Sequence, residues 1–412
     1  MNDSFDDRIK YIKELIKKGK LDPIINYSIS AIETELFINK KNDNNSDNYE
    51  YYSDKNDIRY ILKKKYIDLC TAVSQMGAKL EYIKSGSTGH IFKGISIDNN
   101  EMISNNFAVK MVAYPKKDIY GGMYDSNRPE NAELKMIKLL SYFVINKVSP
   151  HIILPICTFN TSILPFVNLI EKNTISKDNI KYNEFIDKYN KNHYNENVSI
   201  LITEWANRGD FLDFLKKHYK KLKIRHWKVF FFQILSVLAI IQNKYPKFRH
   251  NDLKANNILI EKLPKENHEA LRYRIKNVEF KVPFIGFRLK LWDFDFACIP
   301  DIIDNYKVAL EWTNELNITT TKNRYYDIHF FLNTLIRKGF LPQIMDINNS
   351  HQELIDFINR IIPNKYPNYQ TGKYIHKRGR ILHNKEYKKP IDILIHDDFF
   401  LEFRINKIKR KI

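Results

Sequence analysis

With 412 residues, 43% of them hydrophobic and 13% aromatic, the chain carries enough apolar side chain for two packed lobes and too much to stay disordered throughout. Its formal charge of +19 sets up a field that attracts phosphate, anionic membranes or acidic proteins; no nucleic-acid module accompanies it, so no specific nucleic-acid groove is expected. Cys70, Cys157 and Cys298 are far apart and form no CxxC pair, which argues against a disulfide framework or a zinc site and for a reducing compartment.

The N-terminus lacks a basic-then-apolar leader, and no apolar run approaches the roughly 20 residues of a membrane span, so a cytoplasmic protein without a transmembrane segment is expected. Ile9, Ile12, Leu15 and Ile16 recur at helical spacing and predict one or two amphipathic helices over residues 8–38. The polar stretch Lys40 to Asp57 reads as a linker, so residues 1–57 form a helical extension. From Glu81 short β-type runs follow, among them His90-Ile91-Phe92 and Phe107 to Val112, and then a helix over Pro129 to Ile145. Strands over Ile152 to Phe159 and Val198 to Thr203 flank a polar insertion. Beyond Phe211 the pattern is mainly helical, with Trp227 to Ile241 apolar enough to be buried nearly all round and a charged insertion over Glu261 to Lys281.

Four segments and one helix carboxylate carry chemistry. In Ile83-Lys84-Ser85-Gly86-Ser87-Thr88-Gly89-His90-Ile91 two glycines permit backbone N–H groups to approach phosphate oxygens, although alone they mark only a hairpin turn. In Ala108-Val109-Lys110 the lysine can reach phosphates and the small alanine leaves room for a ring. Glu133 opens a helical run and can pair with Lys110, with Glu130 as the rival partner. In His250-Asn251-Asp252-Leu253-Lys254-Ala255-Asn256-Asn257 an Asp that orients a hydroxyl, a Lys two residues on for the γ-phosphate and an amide five residues on for metal make a phosphoryl-transfer loop. The apolar strand Leu291-Trp292 delivers Asp293, a carboxylate placed to bridge Mg²⁺ to phosphates.

This order of motifs resembles the protein-kinase superfamily over about residues 80 to 400. The resemblance implies an α+β, bilobal fold, with a small β-rich N-lobe over residues 58–203 and a larger helical C-lobe over 204–412. It implies ATP and Mg²⁺ as cofactors and protein substrates, with Asp252 and Lys254 catalytic and Asn257 and Asp293 on the metal. Residues 83–91, Ala108, Lys110 and Glu133 would hold the nucleotide, and Glu204 and Ala206, after a Thr203 gatekeeper, would offer backbone groups to adenine. Asp327 is similar to the buried Asp that anchors the catalytic loop.

Arg128 to Glu133, followed by Ser149 to Pro155, resembles the poxvirus-type serine/threonine kinases of virion assembly, and the Asn-, Lys-, Ile- and Tyr-rich composition hints at an AT-rich viral genome. The subfamily implies a late virion protein whose substrates are virion or membrane-associated proteins. Lys254 favours serine and threonine and leaves tyrosine open. A pseudokinase scaffold and a small-molecule phosphotransferase are the rival classes; retention of Lys110, Asp252 and Asp293 argues against the first, and Glu133 with Leu253-Lys254 against the second.

Four departures stand out: Lys84 at the first loop glycine, Asn251 where an Arg usually precedes the catalytic Asp, Asp295 where Gly is usual, and no clear Ala-Pro-Glu between Asp293 and Asp327. Asn251 cannot pair with a phosphate on the activation segment, so activity without phosphorylation of Thr313, Thr319, Thr320 or Thr321 is expected. Arg249 is expected to emerge in a different direction.

Overall fold

The alternation in Phe107-Ala108-Val109-Lys110-Met111 sends Phe107, Val109 and Met111 into the core and leaves Ala108 and Lys110 half-buried on the other face. In a computed structural model this segment is the centre of a sheet; the structure describes residues 2–25, 57–86, 89–97, 106–172, 174–264, 270–362, 375–382 and 387–405, with side chains from residue 7 onward. Ser87, Thr88, most of the Lys40 to Asp57 linker and residues 26–38 of the expected helical extension lie outside them.

Five antiparallel strands, β1 (Ala78–Ser85), β2 (Gly89–Ser96), β3 (Phe107–Pro115), β4 (Pro155–Ser162) and β5 (Tyr194–Glu204), stand in the order β1-β2-β3-β5-β4. Before them come helices α1 (Asn2–Gly19), α2 (Ile58–Leu62) and α3 (Leu69–Gln75). Helix α1 is part of the same core, since Ile12 and Leu15 join one continuous cluster of buried side chains that reaches Phe400 and Phe403. Helix α4 (Pro129–Ile145) starts with Pro129 in its first turn and Glu130 beside the positive end of its dipole.

The polar insertion between β4 and β5 is partly helical, with α5 (Ile180–Asn190) capped by Asn179. Tyr182 and Phe185, one turn apart, are buried from it against β2. The charged insertion is likewise ordered in part: β7 (Leu271–Ile275) and β8 (Val278–Val282) form a hairpin whose Tyr273 and Phe280 pack on Phe232 at 5.0 and 5.2 Å. Leu271-Arg272-Tyr273-Arg274-Ile275 alternates apolar and basic residues, so the charges lie on one face only.

Downstream lie α6 (Phe211–His218), α7 (Ile224–Lys244), α8 (Tyr326–Leu335), α9 (Gln352–Ile361) and α10 (Pro390–His396), with β6 (Ile258–Lys262) paired to β9 (Phe287–Leu291). Helix α7 is buried continuously from Trp227 to Gln242. It is also the one helix among the described residues long and apolar enough to cross a membrane, contrary to the sequence expectation that no run comes close, but its apolar surface is spent on the core.

Candidate active site

Register places the first group of residues. Lys110 of β3 stands opposite Ile91 on one side and Leu201 on the other, while Ala108 faces Thr203. The Lys110 Nζ lies 2.7 Å from Glu133 Oε1 of α4 and 2.9 Å from Asp293 Oδ1 just beyond β9, and 5.1 Å from the centre of the Trp292 ring. Glu130, the rival, pairs instead with Arg128 at 2.7 Å. Burial opposes the charge on Lys110, but Asp293 and Glu133 together raise its pKa. Burial pushes Glu133 up to about 7 against the pull of Lys110. Burial also disfavours the Asp293 anion, yet Lys110 overrides it and holds that carboxyl at about 2.

The second group is the segment 250–257. Asp327 of α8, fully buried, accepts the backbone N–H groups of His250 and Asn251, both at 2.9 Å. That anchor fixes the chain where it turns through a left-handed conformation at Asn251, φ 62°. Asp293 has the same φ of 62°, an uncommon backbone for a residue with a Cβ and one that tends to mark functional turns. Between these turns the His250 and Phe294 rings meet at 5.1 Å.

Three donors hold the Asp252 carboxylate: Lys254 Nζ and Asn257 Nδ2, each 2.9 Å from Oδ2, and the Arg380 guanidinium on Oδ1. Arg380 also donates to the Asn251 carbonyl and lies over the Phe330 ring. Sequence reasoning missed it, because it lies 128 positions from Asp252 and belongs to no local motif.

The two glycines of residues 83–91 meet different surroundings. A Cβ on Gly89 would come within 1.8 Å of the Met111 carbonyl oxygen, so close approach of β2 to β3 dictates that glycine, whereas one on Gly86 would meet nothing nearer than 3.7 Å. Ile83 is the extra residue of a β-bulge, since Tyr82 pairs with Phe92 and Lys84 with Ile91. Ser85 Oγ bonds His90 Nδ1 at 2.9 Å, and the His90 ring is buried against Phe185 and Tyr182. Lys84 reaches Asp210 Oδ2 at 3.1 Å and so ties this loop to the residue that caps α6.

At the end of β5 the Glu204 side chain turns inward, where Arg8 of α1 grips both carboxylate oxygens and Lys290 Nζ lies at 3.0 Å. The Glu204 N–H donates to the Leu154 carbonyl at 3.0 Å. The Ala206 carbonyl closes a turn to the Gly209 N–H at 3.2 Å, and among the described residues the Ala206 N–H donates to no protein group.

The segment after Asp293 is tied down by Arg249 and Asn251. Arg249 turns inward, contrary to expectation, and donates to Thr319 Oγ1 at 2.8 Å, to the Thr321 carbonyl at 3.2 Å and to the Asn317 carbonyl at 2.5 Å. A pair of backbone bonds between Arg249 and Cys298 sets this direction. Asn251 Nδ2 holds the Phe296 carbonyl at 3.1 Å, and Asp295 pairs with Lys307.

For a metal, no cluster of three or more His, Cys, Asp or Glu is present among the described residues. The Asp293 carboxylate and the Asn257 amide oxygen, freed because Asn257 spends its Nδ2 on Asp252, are hard donors that fit Mg²⁺ with phosphates and water as its other ligands.

A lysine bound to a helix carboxylate beside a sheet, with an anchored loop that bears Asp252, Lys254 and Asn257, is the arrangement of a protein kinase. Residues 98–396 match the poxvirus serine/threonine protein kinase family, and the chain belongs to that family. It is 42% identical over 408 residues to a protein of Acanthamoeba polyphaga mimivirus provisionally named a serine/threonine-protein kinase, covering 98% of this chain and 81% of that one. A second mimivirus protein with the same provisional name is 32% identical over 181 residues, 41% of this chain and 45% of that one. Serine/threonine-protein kinase 2 of monkeypox virus is 29% identical over 218 residues, 50% of this chain and 40% of that one.

Proposed function

We propose that this kinase moves the γ-phosphoryl group of ATP onto serine and threonine hydroxyls of proteins, with Mg²⁺, through a bilobal arrangement in which the sheet holds the nucleotide and the helical part the acceptor. The observation that carries the reading is the convergence of Lys110, Glu133 and Asp293 on one side and Asp252, Lys254 and Asn257 on the other. Lys110, kept cationic by its two carboxylates, binds the α- and β-phosphates, and the Ala206 N–H and Glu204 backbone receive adenine. Asp293 and Asn257 would hold Mg²⁺, which would supply charge neutralisation at the phosphates.

Asp252 orients the acceptor hydroxyl. The acceptor oxygen bonds to the γ-phosphorus as the bond to the β-phosphate oxygen breaks and ADP departs; the hydroxyl proton passes to Asp252 and then to solvent. Lys254 follows the transferring group. We extend the proposal, from family membership and the AT-rich signature, to action on virion or membrane-associated proteins in the host cytoplasm during late assembly.

The test is incubation of the purified protein with γ-labelled ATP, Mg²⁺ and a panel of acidic and basic proteins, followed by phosphoamino-acid analysis. Label on phosphoserine and phosphothreonine is expected. Absence of protein labelling would refute it.

A further inference from the structure

A cavity of about 910 Å³ opens onto Asp252, and Lys110, Glu133 and Asp293 are not among its lining residues. Among the described residues its walls carry six cationic side chains, those of Lys254, Arg337, Lys338, Lys377, Arg378 and Arg380, and Asp252 is the only acidic one lining it. Lys254 and Arg380 are spent on Asp252, and Arg337 donates to the Lys377 carbonyl at 2.6 Å. Lys338, Lys377 and Arg378 are exposed and make no ion pair among the described residues. The surplus of positive charge is felt locally: burial, then Arg378, Lys377, Arg380 and Arg337 all lower the pKa of His376. The floor is apolar, with Phe296 edge-on to a half-exposed Trp312 at 6.1 Å and Leu316 beside them.

Such a groove, cationic at its rim, apolar at its base and ending at the carboxylate that orients the acceptor, suits one occupant. We propose that it is a specificity site for acceptor segments that carry acidic or already phosphorylated side chains close to the Ser or Thr, with an apolar residue lying on Phe296 and Trp312. Charge complementarity selects it: Lys338, Lys377 and Arg378 have no carboxylate partner among the described residues, and an incoming anion supplies one. The inference rests on the protein-kinase reading above and adds the class of substrate.

The test compares three peptides with one acceptor Ser in an apolar frame, flanked by Glu, by phosphoserine or by Gln, with the full-length parent and the triple variant K338E/K377E/R378E. The parent should show kcat/KM about tenfold or more higher for the Glu and phosphoserine peptides than for the Gln peptide, and the gap should shrink with added salt. The variant should abolish or invert that ratio. If only the phosphoserine peptide is favoured, the source of the anion is a priming phosphate; if both are, a carboxylate suffices. Equal kcat/KM for all three peptides in the parent, or a ratio untouched by the charge reversal, overturns the inference while leaving the kinase intact. Single-stranded RNA that blocks the groove while peptide preference is flat assigns it to nucleic acid and also overturns it. Labelling of none of the peptides and of no protein in the panel is instead failure of the kinase reading itself.

Discussion

Removing the Arg8 side chain tests whether α1 is integral to the kinase. Its guanidinium binds both Glu204 oxygens and also donates to the Pro150 and Ile152 carbonyls at 3.0 and 2.9 Å, all buried. Burial opposes the Glu204 anion, but Arg8 and Lys290 outweigh it and hold that carboxyl at about 2. In Arg8→Met the carboxylate keeps Lys290 at 3.0 Å and the Leu154 N–H at 2.8 Å but loses its stronger partner, and two carbonyls are stranded. Breaking one side of a buried pair costs about 3–5 kcal/mol. At an unfolding entropy near 2.1 cal/mol/K per residue, a chain of this size should lose about 5 °C in Tm. Differential scanning fluorimetry of Arg8→Met, Glu204→Gln and the double variant would measure it, with exposed Lys10→Met as control. The double variant should lose less than the two single variants taken together. A loss of less than about 1 °C for Arg8→Met, matching Lys10→Met, would refute the idea that α1 is pinned beneath the end of β5.

Lys84→Gly removes the tie to Asp210 and should speed ATP dissociation, most visibly at low salt; stopped-flow release with an unchanged rate would show the contact to be idle. Since Arg249 already grips Thr319, phosphatase treatment should leave most activity, while Arg249→Met should lower it about tenfold or more by freeing the segment; the opposite pattern would show that a phosphate is required. Burial lowers the pKa of His90 to about 4 and of His151 to about 3, so the unfolded chain binds more protons below the ordinary histidine value. Their neutral forms contribute stability that is full above pH about 6.5 and lost as pH falls toward 3–4, and His151→Phe should flatten that limb in a urea titration.

Short-range patterns made much of the site legible. Alternation in β3 puts Ala108 and Lys110 on one face, helical spacing brings Glu133 rather than Glu130 to Lys110, and Asp252 to Asn257 lie within one loop. Long-range partners left no such trace: Arg8 meets Glu204 across 196 positions and Arg380 meets Asp252 across 128, and no periodicity links them. The insertion before β5 hid its helix because only Tyr182 and Phe185 mark the buried face among Asn and Lys. Gly89 was legible as necessary but for a different reason, since the constraint comes from Met111 on the neighbouring strand. Arg249 misled because its direction depends on pairing with Cys298, a contact 49 positions ahead that sequence does not display.

The central claim is that Asp252 serves the acceptor hydroxyl while Lys110 and Asp293 serve the nucleotide. Measuring phosphoryl transfer and Mg·ATP affinity side by side for the parent, Asp252→Ala and Asp293→Asn tests it most directly. The account predicts that Asp252→Ala loses transfer by at least about a thousandfold with nucleotide affinity nearly unchanged, and that Asp293→Asn loses Mg²⁺-dependent affinity as well. Near-normal turnover in Asp252→Ala, or a Mg²⁺ response in Asp293→Asn identical to the parent's, would contradict it.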